Sequence, residues 1–359
     1  MSETTQIRAA APKPAVPPSG EEELRFIRNF HDVFLSIGLA MFAAGLAIAS
    51  VLLIRGLVGG ADESAWRRAT AIIAAVAFAD AVVMWLLAEI FARTRRLFLP
   101  SIVILLAFGG FLFCGLAATY ALIFLDANIE NLEKPLSELR GLPLFLSGGV
   151  TLGIFAYYFR TKLPFAMGYG ALALAGTAIA YLFFAAPELV AQHALKLQLA
   201  AGAFLFVLGV AYDARDPARR TRYSDNGFWL HFFAAPLIFF SVTAMVVSPA
   251  QAFSGEAYPA AATLAVVIAF ALVSLLINRR ALLVSGLLSA VASVWVLVSK
   301  TGLDGAWTAA LTLLILGGAM VLLGGGWHAV RRVLVAPFPK SGPISRIIPP
   351  EPPRGSASE

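Results

Sequence analysis

The chain has 359 residues and a formal net charge of +6; 59% of its residues are hydrophobic and 13% charged, and the mean hydropathy is +0.81. So little charge cannot cover the surface of a water-soluble fold of this length, which excludes an ordinary globular enzyme. The basic residues are scattered through short gaps between apolar runs, so the positive balance does not describe a nucleic-acid surface.

Residues 1–19 are rich in Pro, Ala and Ser and are expected to form a disordered tail. Ser19 followed by Glu22 has the spacing of a capping box and predicts an interfacial helix over 20–32, with Leu24, Ile27 and Phe30 towards lipid. Ten apolar runs follow, at about 33–54, 69–92, 98–125, 142–159, 163–186, 195–212, 227–247, 260–277, 281–299 and 307–329. Each approaches or reaches the roughly 20 residues that cross a hydrocarbon layer about 30 Å thick. The expected fold is therefore an all-α polytopic membrane helix bundle with a ten-span domain over 33–330. Residues 336–359 are again Pro- and Ser-rich and read as a disordered tail.

Threading follows from where Lys and Arg fall. With the N-terminus inside, twenty of the 27 lie in inner segments, and seven lie outside: Arg55, Arg67, Arg68, Lys134, Arg140, Lys196 and Lys300. This bias places both termini in the cytoplasm and the protein in a bacterial inner membrane. Trp66 and Trp307 at outer ends, and Trp229 and Trp327 at inner ends, read as interfacial anchors. Ten spans could divide into two inverted sets of five, but the charged features of spans 2 and 7 have no counterpart in the other half.

Asp80 is the sharpest polar feature. It sits near the centre of span 2 in AIIAAVAFADAVVMW. An ionised carboxylate at that depth costs several kcal/mol or takes up a proton, so it is expected to face the bundle interior. It is either a proton or cation relay or an interhelical hydrogen-bonding residue. Glu89 lies nine residues on and faces away from Asp80, beside Arg93, Arg95 and Arg96, where a boundary ion pair is expected.

The gap between spans 6 and 7 and the start of span 7 read YDARDPARRTRYSDNGFWLHFFAAPLIFF. Asp213, Asp216 and Asp225 are interspersed with arginines, which suggests a self-paired loop that fastens two helices. Arg219, Arg220, Arg222 and Asp225 are also candidate contacts for a phosphate or an anionic lipid headgroup. Ser224, Asp225 and Asn226 are good helix N-cap types. His231, one turn into the span, is a second relay candidate or a hydrogen-bonded packing residue, and Pro236 is expected to kink the helix. Glycines at 149 and 153, and the cluster Gly324 to Gly326, are expected to let helices approach closely.

The single cysteine, Cys114, permits no intramolecular disulfide. The four histidines are dispersed, no phosphate-binding glycine loop or hydrolase signature is present, and neither a metal nor a cofactor is expected.

Three stretches, RNFHDVFLSIGL, LAEIFARTRRLFLPSIVILLAF and DARDPARRTRYSDNGFWLHFFAAPLIFF, resemble a family of uncharacterised proteobacterial multi-span integral inner-membrane proteins. The resemblance covers about a fifth of the chain and implies a multi-span inner-membrane protein without implying an activity. The leading functional expectation is a secondary transporter or ion-coupled permease, with membrane lipids and a small solute or proton as partners and no nucleic acid. The alternatives are a non-catalytic sensor or envelope-organising component, or a membrane enzyme acting on a lipid.

Overall fold

The computed structural model describes residues 30–58, 63–124, 141–217, 219, 221–248, 251, 255–339 and 341–349. Ten long helices are α1 (Phe30–Leu57), α2 (Glu63–Ala88), α3 (Phe98–Phe124), α4 (Gly141–Thr161), α5 (Pro164–Ala185), α6 (Pro187–Asp213), α7 (Arg222–Val246), α8 (Ala257–Ile277), α9 (Ala281–Ser299) and α10 (Gly305–Val335). A one-turn π-helix, Glu89–Thr94, continues α2, and a short α11 spans Pro343–Ile347. No strand occurs among the described residues. All ten long helices are long and apolar enough to cross a membrane. The chain is an all-α, multi-pass membrane protein.

The helices are organised as four antiparallel hairpins, α2–α3, α4–α5, α6–α7 and α8–α9, which are the most extensively packed pairs. Successive hairpins pack side by side, with α3 on α4, α5 on α6 and α7, and α7 on α8 and α9. The flanking helices α1 and α10 lie against the first and last hairpins. Each hairpin turns tightly at one end of the bundle, and that end also carries most of the described Lys and Arg. We call it the basic end.

The tight turns share a backbone device. Arg96, Lys162, Arg219 and Asn278 all have φ between 54° and 57°, one in each hairpin turn. A left-handed residue ends a helix by swinging the next amide back onto the last carbonyls. The amide of Asn278 bonds Leu275 O, and that of Arg279 bonds Ser274 O. None of the four is glycine, so each turn carries a backbone cost of about 1–3 kcal/mol that the packed hairpin must offset.

Several helix starts follow ordinary stereochemistry. Pro164 and Pro187 open α5 and α6, where a missing amide proton costs no intrahelical bond. Asp304 caps α10, its carboxylate accepting from the amides of Ala306 and Trp307 at 3.0 Å. Helix α7 starts earlier than its sequence suggests. Thr221 is the N-cap, and its hydroxyl accepts from the Tyr223 amide at 3.3 Å. Ser224 and Asn226, expected as caps, are buried and used elsewhere. Helix α6 begins at Pro187, not near 195, and bends where His193 leaves helical geometry (φ −125°, ψ 20°).

Glycine packing is selective. A Cβ at Gly149 or Gly153 would meet Leu116 Cδ1 at 2.5 Å or Leu112 Cδ2 at 2.3 Å, so this GxxxG pair on α4 receives two leucines of α3. Gly324 and Gly325 have nothing within 4 Å of a built Cβ, and Gly326 only Val330 of its own helix. The expected close helix contact there is not made, because α10 packs chiefly on α8 and α9 and leaves this stretch facing outward.

Two further expectations are revised at the basic end. Trp327 is not a lipid-facing anchor. It is buried, its indole N–H donates to Asn278 Oδ1 at 2.9 Å, and the Arg280 guanidinium lies 5.0 Å from its ring. The reason is length: a helix of 31 residues is about 46 Å long, so the last turns of α10 outrun the hydrocarbon and pack on the α8–α9 turn. Within the stretch read as a disordered tail, residues 343–347 form α11, and the buried Arg331 donates to Leu275 O at 2.9 Å and to Pro349 O. The expected interfacial helix over 20–32 falls mostly outside the described residues, as does the N-terminal tail.

Candidate functional site

Two carboxylates stand out, one buried in mid-membrane and one half-buried at the basic end. Asp80 is 6% exposed and faces α1, where the Ser50 hydroxyl donates to Oδ2 at 2.7 Å. That bond is the only one this carboxylate makes among the described residues, and no cation pairs with it. Its partner helix is the least enclosed of the ten. Phe34, Met41, Ile48 and Leu52 of α1 are all largely exposed.

The second site is built from three hairpin elements. Asp213 ends α6, His231 lies two turns into α7, and Arg279 occupies the α8–α9 turn. Arg279 is 2% exposed; its Nε donates to Asp213 Oδ2 at 2.9 Å and its Nη2 to Oδ1 of the same carboxylate. Nη2 also donates to the carbonyl and hydroxyl oxygens of Ser224, each at 3.0 Å. A guanidinium held through two nitrogens on one carboxylate has fixed geometry and strong, charge-assisted bonds. His231 is fully buried, with Nε2 3.1 Å from Asp213 Oδ2 and its ring edge-on to Phe206.

Paired glycines make room for this cluster. A Cβ at Gly209 would lie 2.9 Å from His231 Cε1, and a Cβ at Gly227 would lie 2.2 Å from Asp213 Oδ1. Helices α6 and α7 thus carry reciprocal motifs, Gly209-x-x-x-Asp213 and Gly227-x-x-x-His231. Residues four apart share a face, so in an antiparallel pair each polar side chain enters the notch of the opposite glycine.

The loop between these helices fastens two hairpins together. Asp216 is buried and accepts from the amide and hydroxyl of Thr221, both at 2.7 Å. Arg219 reaches outward, donating to Ile277 O at the end of α8 at 3.0 Å. The loop reaches further than the two helices it was expected to fasten: Asp213 and Arg219 both bind the fourth hairpin. Arg222 is exposed, Asp225 is half-buried, and Arg220 lies outside the described residues. Glu89 links the first two hairpins, accepting from Arg160 Nε at 2.5 Å and Nη2 at 3.1 Å, and from Arg93 at 2.9 Å.

The structure brings His231 and Arg219 to one end of the bundle and leaves Asp80 in a different hairpin. Arg279, which completes the cluster, was counted in the sequence only as a loop charge. No local pattern marks it: Asn278-Arg279-Arg280 reads as an ordinary basic turn between two apolar spans. Among the described residues no group of three His, Cys, Asp or Glu could hold a metal ion.

Ten apolar spans, eight of them in four stacked hairpins with one flanking helix on either side, and ionisable groups enclosed among them define the class: an integral multi-pass membrane protein. No protein-family model, curated protein or solved structure matches the chain.

Proposed function

We propose that this protein is a proton-coupled secondary transporter of a bacterial inner membrane, with its basic end and both termini in the cytoplasm. In this reading Asp80 takes up and releases the coupling proton. The observation that carries it is a buried mid-span carboxylate with one hydroxyl partner and no cation. A structural carboxylate at that depth is ordinarily paired, whereas a relay must be stable in both protonation states. The partner helix α1 is loosely held, so a small displacement of it would open Asp80 to one side of the membrane. His231 is a second relay candidate, although its bond to Asp213 ties it to a filled cluster.

The test is proton flux in proteoliposomes carrying an internal pH dye under an imposed membrane potential. Infrared difference spectra across a pH jump would report the protonated carboxyl directly. Asp80→Asn should fold, lose the flux and lose the carboxyl band. Flux equal to that of the unaltered protein would overturn the reading.

One observation favours a second reading, a non-catalytic membrane component. The Asp213–His231–Arg279 cluster and the Arg219 bond to Ile277 act as fasteners between hairpins, which suits a rigid platform. A lipid-acting enzyme fits less well, because the space from Asp225 to His231 that it would use as a lateral pocket is occupied by Arg279 and Asp213.

A further inference from the structure

Arg331 lies in the last turns of α10, which outrun the hydrocarbon, yet it is only 1% exposed. The chain that follows helps to enclose it. Residues 336–349 leave α10, turn at Gly342, form α11 and come back, so that Pro349 O accepts from Arg331 Nη2. The Arg331 Nε donates to Leu275 O, near the end of α8, at 2.9 Å. One guanidinium therefore grips both the fourth hairpin and the returning chain. Between its two ends the segment packs on α6 through α11.

The path of this segment is written into its sequence. Gly342 has φ 90° and ψ −169°, a region that essentially only glycine occupies, and nothing lies within 4 Å of a Cβ built on it. Pro343 follows in the first turn of α11, where a fixed φ and a missing amide proton suit a helix start. A chain with no preferred path would not need a turn of this kind.

Position gives the segment a task. Both its ends sit at the basic end, at Val335 and Pro349, so α11 meets α6 towards Asp213. The seam between α6 and the fourth hairpin is already closed by Arg279 on Asp213 and by Arg219 on Ile277 O. The segment crosses the same seam from outside. Pro337, Pro343, Arg346 and Ile347 are exposed. Apart from the bonds that continue the end of α10, Pro349 O to Arg331 is its one hydrogen bond to another element among the described residues. A link that is exposed and held by so few bonds can open while the packing of the spans stays intact.

We propose that residues 336–349 form a strap that locks the third and fourth hairpins together at the basic end, with Arg331 as its clasp. Closed, the strap holds α6 to the α8–α9 turn. Open, it leaves that seam to Arg279 and Arg219. The device is independent of whether Asp80 carries protons.

The test is hydrogen–deuterium exchange of the full chain in lipid nanodiscs, read by mass spectrometry at residues 208–213 and 275–283. Gly342→Ala strains the turn of the strap without touching the spans, and should speed exchange in both segments about tenfold. The α2–α3 turn, residues 93–98, should not change. Arg331→Gln removes the clasp and should give the same pattern. Gly302→Ala is the control: it puts a similar strain (φ 79°) in the α9–α10 connection at the other end of the bundle, and should leave both segments as they were. Unchanged exchange at 208–213 in Gly342→Ala would overturn the lock, because α6 would then not depend on the strap. An equal rise at 93–98 would overturn it too, as general loosening, and so would an equal effect of Gly302→Ala.

Discussion

Asp80 and Asp213 are both aspartates within long apolar helices, yet their surroundings differ in nearly every respect. Asp213 is met by a guanidinium, an imidazole and a glycine notch, and its position joins three hairpin elements. Asp80 has one serine hydroxyl, supplied by a helix that lies at the edge of the bundle. A charge that is desolvated, paired and sterically fitted holds an architecture in place. A carboxylate with one neutral partner is held only enough to stay inside. The contrast teaches that depth in the membrane does not by itself assign a role; the number and charge of the partners does.

Breaking the Asp213 side should have the largest effect. Arg279→Met removes the cation and leaves a largely enclosed carboxylate with only His231 beside it, so we expect a loss of about 3 kcal/mol. Unfolding in mild detergent measures it. The double change Asp213→Leu with Arg279→Met should cost less than Arg279→Met alone, since no orphaned charge remains. An unchanged midpoint for Arg279→Met would show that the cluster is not a fastener.

A smaller effect is expected from the notch that accepts Asp213. Gly227→Ala forces a methyl group towards Oδ1 and should cost about 1–3 kcal/mol, the usual penalty of overpacking. Gly317→Ala, where nothing lies within 4 Å, should be neutral or slightly stabilising. If the two alanines behave alike in thermal unfolding, the reciprocal glycine motif has no steric content.

The smallest stability effect belongs to Asp80. Asp80→Leu or Ser50→Ala should cost about 1 kcal/mol, the scale of one hydrogen bond within a membrane. Asp80→Asn keeps the bond and should leave the unfolding midpoint nearly unchanged while abolishing proton flux. A loss for Asp80→Leu as large as that for Arg279→Met would erase the distinction drawn between the two carboxylates.

Much of this architecture was legible from local pattern. The number of spans, their approximate limits, the burial of Asp80 and an ion pair at Glu89 all follow from apolar length and helical phase, which act over a few turns of chain. What was not legible depended on pairings between distant helices. Trp327 reads as an interfacial anchor until Asn278 is brought against it. Gly149 and Gly324 look alike in sequence, yet one receives a leucine and the other faces outward.

The sequence by itself determined that this is a ten-span membrane protein with its basic residues gathered at one end, because hydrophobic burial and helix length are set by composition over each run of about 20 residues. Only the tertiary structure decided that eight of the spans pair as four hairpins and that Arg279 belongs to Asp213. Those outcomes rest on which helix faces meet, and a helix carries no local record of its neighbour: the same charged residue becomes a fastener or stays at the surface according to what packs across from it.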